Sequence, residues 1–311
     1  GLSNVKGERV KVPTWIRGKE SLQILVPYIK DLKILGIGGS VGTPKAGISG
    51  EVLVLNSFDE LEEVKYKARG KIVLFNVPFT TYGETVKYRY DAPSKAAKYG
   101  AKATLIRSIG SWSMNTPHTG TMGEYTYHKK IPHAAITSED AMMISRISKR
   151  GQKVVLKLNM DGKFVEDRWS RNIIAELKGS TYPEEIIVVG GHIDSWDVGQ
   201  GAHDDAGGCV AAWRAVTLIK ELGLKPRRTI RIVLWTNEEN GGKGNENYKN
   251  EHLSELNNHI LAIESDGGVF APQGFGFTGS EKARDYILDI ASLLDPIGAG
   301  TITNWGRAAD V

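Results

Sequence analysis

The chain has 311 residues, 41% hydrophobic and 24% charged, a balance that excludes an intrinsically disordered protein and supplies enough apolar surface for roughly two domains. Its net charge of +4 comes from 40 basic and 36 acidic residues mixed along the sequence; without a Lys/Arg tract to follow phosphates, nucleic acid is not an expected partner. No apolar stretch approaches the roughly 20 residues that span a bilayer, and Cys209, the single cysteine, excludes an intrachain disulfide and a thiolate zinc cluster.

The start, Gly1-Leu2-Ser3-Asn4, carries no initiator Met and no signal-peptide core, and reads as a processed or incomplete end. The glycine-rich stretch 36–50 invites a dinucleotide reading that its spacing defeats. Val41 holds the third glycine position and Pro44 follows where a helix should start, so a surface loop is expected. A β-α-β sequence follows: an apolar run over 51–58, a charged helix over 59–69 and a strand over 71–75. A helix over 94–99 and a strand over 103–106 extend it. His118, in Pro117-His118-Thr119-Gly120, and His133, after Pro132, read as ordinary loop histidines. Thr137 and Asp140 have capping-box spacing ahead of Met142, Met143, Ile144 and Ile147, and Gly151 closes that helix. The first half is thus a compact α/β module without a reactive constellation, and the pattern changes character near 155–170.

In the second half, acidic and imidazole side chains stand at the ends of apolar β-type runs. The strand 184–189 leads into Gly190-Gly191-His192-Ile193-Asp194, and strand alternation puts His192 and Asp194 on one side. A metal-ligating imidazole usually gives its other N–H to a carboxylate, and Asp194 is placed to receive it. Next come Asp204 and Asp205, followed by a helix through Leu222. Either aspartate alone would be read as that helix's N-cap. The neighbouring carboxylates shift the reading towards a metal ligand, because one carboxylate can bridge two divalent ions. His203 is expected to be a neighbour of the ligands, and Cys209, opening the apolar helix face, a packing residue. The strand 229–235 ends in Glu238 and Glu239, which point in different directions and can divide labour between metal and water. The strand 260–263 then delivers Asp266, with Gly267-Gly268 permitting a tight turn. A doubly wound α/β sheet gathers such strand ends at one edge. Anionic oxygens converging there would repel one another without a cation between them, which points to a metal site.

The segments 192–202, 235–242 and 264–268 resemble the co-catalytic zinc aminopeptidase and carboxypeptidase family, and so do 13–19, 70–74, 117–120 and 278–284. The resemblance covers nearly the whole chain. It implies an α/β zinc-peptidase domain with a mixed, mostly parallel central sheet flanked by helices, carrying an inserted protease-associated α/β domain. The corresponding division is 1–28 for an N-terminal piece, 29–158 for the insert and 159–311 for the peptidase domain. It further implies two Zn²⁺ ions, with His192, Asp204 and Asp266 holding one, Asp204 and Glu239 the other, Glu238 as general base and Asp194 orienting His192. A cis Asp204-Asp205 peptide, small peptide substrates, a homodimer and a secreted or lysosomal setting belong to the same expectation. One departure stands out: the family has a further histidine late in the domain as an outer ligand of the second zinc, and here none follows His259. The chain is therefore read as truncated at both ends, with a weak second metal site.

Overall fold

The structure, a computed structural model, describes residues 1–127, 129–304 and 310–311. The chain opens with β1 (Ser3–Ile16) and continues through β2 (Glu20–Val26), β3 (Lys30–Leu32), β4 (Ile34–Gly36), β5 (Ile48–Leu55), α1 (Phe58–Glu63), β6 (Ile72–Phe75) and α2 (Tyr82–Thr85). Then come α3 (Lys87–Lys98), β7 (Ala103–Arg107), β8 (His133–Ile136), α4 (Ser138–Lys149) and β9 (Val155–Met160). The remainder comprises β10 (Lys163–Leu177), β11 (Tyr182–His192), α5 (Ala206–Glu221), β12 (Arg228–Trp235), α6 (Lys243–Glu251), β13 (His259–Glu264), β14 (Gly274–Gly276), α7 (Glu281–Ser292) and β15 (Thr301–Thr303). Two compact units result: an inner one, Pro13–Asp167, and an outer one made of Gly1–Val12 with Arg168–Val311. The divisions fall inside β1 and β10, whereas the resemblance implied 28/29 and 158/159. The second division lies within the 155–170 stretch where the pattern changes character, whereas the first, inside β1, has no change of composition to mark it.

The inner unit is built on an eight-stranded sheet ordered β3-β2-β9-β5-β6-β7-β8-β4, parallel from β5 to β8. All four residues of β6 are buried, as expected where helices cover both faces of a parallel sheet. Alternation divides them: Ile72 and Leu74 join Ile144 and Ala141 of α4 in one apolar cluster, while Val73 and Phe75 join Ala92 and Ala96 of α3 in another. The Thr137 hydroxyl caps α4 by accepting from Asp140 N at 3.0 Å, and Gly151 beyond it has φ +76°, as the sequence suggested.

Three sequence readings need correction here. The 36–50 stretch is not simply a surface loop, because Ile37 and Ser40 are fully buried. The helix read over 94–99 starts at Lys87 and carries Pro93 inside it. His133 is no loop residue: it opens β8 and is completely buried. The last two points share a cause. Proline has no N–H, so the helical carbonyl of Arg89, four residues earlier, lacks its usual donor. His133 Nε2 lies 3.0 Å from that carbonyl and supplies one, while Nδ1 sits 2.8 Å from the Thr104 hydroxyl.

The outer unit carries a five-stranded sheet ordered β1-β10-β12-β11-β13. β10 runs antiparallel to β12, whereas β12, β11 and β13 are parallel neighbours. Their carboxyl ends therefore lie side by side, with His192 opposite Trp235 and Gly190 opposite Glu264. α5 buries Cys209, Ala212 and Val216. α6 brings Tyr248 edge-on against Trp235, ring centroids 5.2 Å apart. β1 is fastened by Glu8, whose carboxylate accepts from His252 Nε2 at 2.9 Å, and by the Ser3 hydroxyl, which donates to Glu176 O at 3.0 Å. No helix among the described residues is long and apolar enough to cross a membrane.

Candidate metal centre

The site is assembled where α5 meets the end of β11. An ideal Cβ at Gly191 would fall 2.8 Å from the Cys209 backbone nitrogen, and one at Gly208 would fall 1.7 Å from the Ser265 carbonyl oxygen. Only glycine lets these backbones approach so closely. Asp205 is the N-cap of α5. Its carboxylate accepts from Gly208 N at 3.1 Å and from His192 N at 3.0 Å, so one side chain pins the helix start to the ligand-bearing strand end. The choice left open by the sequence resolves this way: Asp205 caps, and Asp204, joined to it by a cis peptide, faces the imidazole.

His192 is buried, 1% exposed. Nδ1 lies 2.8 Å from the backbone carbonyl of Asp194, an acceptor only, so Nδ1 carries the proton. The expected bond to the Asp194 carboxylate is not formed, the nearer oxygen being 3.9 Å away. That oxygen instead accepts the Glu238 N–H at 3.0 Å. Nε2 then points at Asp204 Oδ1, 3.1 Å, and Asp266 Oδ1, 3.2 Å. His192, Asp204 and Asp266 each offer one ligand atom, all lying within 4.8 Å of one another. Ligand atoms around a tetrahedral zinc, at about 2.0–2.1 Å from it, stand about 3.3 Å apart. The set of one imidazole nitrogen and two carboxylate oxygens fits such an ion in chemistry and in spacing.

Burial lowers the His192 pKa, but Asp266 and the Asp194 carbonyl outweigh it and carry it up to about 10. The surrounding carboxylates favour positive charge at Nε2, which either a proton or a divalent cation can supply. Burial, and then the neighbouring anions Asp266, Asp194 and Asp204, push Glu238 up to about 7 against the pull of His192. Burial, Asp204 and Glu238 take Glu239 to about 8. Glu239 stands outside the close three-residue group but within its field. Burial raises the Cys209 thiol to about 12, and its Sγ lies 3.2 Å from His192 O, in keeping with a packing role. His203 is exposed and not one of the three.

Two carboxylates at this edge were not anticipated. Glu264 accepts the Asp310 N–H at 3.1 Å, and burial drives the two side chains up to about 7 and about 8 respectively. Strand alternation from Asp266 would have marked Glu264. Asp310 has no such local signal.

Fold and site together define an α/β protein whose parallel strand ends converge on a candidate divalent-cation centre. Residues 172–306 match the model of peptidase family M28. A solved M28 peptidase precursor from Shewanella amazonensis superposes with a TM-score of 0.93 at 34% identity, over 100% of this chain and 72% of that one. The chain belongs to peptidase family M28. It is 49% identical to carboxypeptidase Q of Homo sapiens and 50% identical to that of Rattus norvegicus, in both cases over all of its own length and 66% of theirs, so it spans slightly less than two thirds of these relatives. A probable leucine aminopeptidase 2 from Aspergillus oryzae is 28% identical over 72% of the chain and 43% of that protein. The Bacillus subtilis zinc aminopeptidase shares the fold, with a TM-score of 0.70 at 22% identity over 99% of this chain and 71% of that one.

Proposed function

We propose that this chain forms the catalytic core of a zinc-dependent exopeptidase acting on dipeptides or other small peptides. The observation that carries the reading is the convergence of His192, Asp204 and Asp266 within 4.8 Å from three separate segments. In this reading those three residues hold one zinc, and Asp204 and Glu239 contribute to a second. Zinc bound there would supply Lewis acidity to the scissile carbonyl and acidify the attacking water. The chain's own residues do the rest. The Asp194 carbonyl keeps the His192 proton on Nδ1 and leaves Nε2 free to ligate. The Asp194 carboxylate holds the Glu238 backbone through its N–H. Glu238, raised to about 7 chiefly by burial, is matched to taking a proton from water and returning it to the leaving amine near neutral pH.

Carboxypeptidase action is favoured over aminopeptidase action because the carboxypeptidase Q relatives are 48–50% identical and the leucine aminopeptidases 28–30%. Dipeptides blocked at one end or the other separate the two. The test of the mechanism is Glu238→Ala: zinc content is expected to stay at the wild-type level while kcat falls by about two orders of magnitude or more. A zinc-loaded variant with full turnover would remove Glu238 from the role of base.

A further inference from the structure

Asp204 and Asp266 sit on different loops, and the spacing between them depends on how those loops engage. Three glycines record close approaches. An ideal Cβ at Gly207 would fall 1.8 Å from Val269 Cγ1, one at Gly208 1.7 Å from Ser265 O, and one at Gly268 2.8 Å from His203 Cε1 and 2.9 Å from Nε2. The first two bring the 265–269 segment against the start of α5. The third runs the other way: the His203 ring takes up the side-chain space of Gly268, whose φ of +100° is itself a glycine conformation. The same ring meets Phe270, with centroids 5.4 Å apart and planes inclined at 44°, within the range where aromatic pairs attract. His203 immediately precedes Asp204, and Gly268 and Phe270 follow Asp266 by two and four positions.

We infer that His203 is a positioning residue of the metal centre: its ring, seated over Gly268 and beside Phe270, holds the Asp266 loop at the distance from Asp204 that the ion requires. The inference rests on the metal-site reading proposed above. His203 acts through its ring surface and not as a ligand, since the converging ligand atoms belong to His192, Asp204 and Asp266.

The test is titration of the 311-residue chain with Co²⁺ alone, followed by visible absorption, which reports affinity and coordination geometry separately from turnover. Loss of an outer-shell support commonly costs 10–100-fold in metal affinity; His203→Ala is therefore expected to bind Co²⁺ about tenfold more weakly with altered bands, and His203→Phe to recover to within about threefold. Phe270→Ala, at a side chain 87% exposed and so outside the buried core, is expected to show a smaller loss in the same direction. Unchanged affinity and spectrum in His203→Ala overturn the inference. A His203→Phe variant as weak as His203→Ala overturns it too, because a ring nitrogen would then be what the site needs. If the wild-type chain fails to bind Co²⁺, the metal-centre reading itself falls, and this inference with it.

Discussion

At His192 the tautomer is fixed by a peptide carbonyl, that of Asp194, and the Asp194 carboxylate serves Glu238 instead. One residue thus supports the imidazole with its backbone and the neighbouring glutamate with its side chain. His133 shows the opposite use of a histidine. Burial holds it down to about 4 from an ordinary 6.5, so between those pH values the unfolded chain takes up a proton that the native chain refuses. Its contribution is complete above about pH 6.5 and is lost as pH falls towards 4, by about 3 kcal/mol in all. Urea unfolding at several pH values should show a shallower acid destabilisation in His133→Gln than in the wild type; equal slopes would contradict this. Of the proposed ligands, His192 and Asp266 were legible in the sequence because each closes or follows an apolar strand run, and Asp204 because it precedes a helix in the company of those other groups. His133 was not, because the reason for its burial, the missing N–H of Pro93, lies in another element. The Asp194 contact was not legible either, since a carbonyl acceptor leaves no mark on residue type.

Among the elements, α5 shows how a helix start can be set by close approach. A methyl at Gly208 would collide with the Ser265 carbonyl at 1.7 Å and with both Asp205 carboxylate oxygens. Gly208→Ala is therefore expected to cost about 3 kcal/mol or more and to weaken metal binding through displacement of Asp204. Gly223, just past the same helix, is the comparison: it has φ +70° and nothing within 4 Å of an added Cβ, so alanine there costs only the backbone strain, about 1 kcal/mol. Urea denaturation of the two variants separates collision from strain, and similar losses would refute the distinction. The well-buried strands β6, β7, β11 and β12 and the capped helix α4 could be read from apolar runs and capping spacing. β1 and β10 could not, because most of their residues are exposed or only partly buried and give no apolar run. The α3 start was missed because Pro93 reads as a boundary, while the fold accepts it inside the helix and repairs the lost bond from β8.

For the molecule as a whole, the resemblance carried by the 192–202, 235–242 and 264–268 segments gave the family and the α/β class, and it named His192, Asp204 and Asp266, whose side-chain atoms lie within 4.8 Å of one another. It did not foresee where the chain passes from one compact unit to the other, which is a property of contacts and not of motifs. That passage has a practical consequence for taking the protein apart. A piece starting at Arg168 keeps every proposed ligand, yet it forfeits β1, leaves β10 with an unpaired edge prone to self-association and deprives His252 of Glu8. Arg9 lies 4.2 Å over the Trp169 ring, so the two crossing points of the backbone are near neighbours. Splicing Val12 to Arg168 through a short Gly/Ser bridge should therefore yield a monomeric, Co²⁺-binding miniature where the plain excision aggregates, a contrast that size-exclusion chromatography reads directly. The first twelve residues are, in effect, the border of a sheet whose other strands are all drawn from far downstream.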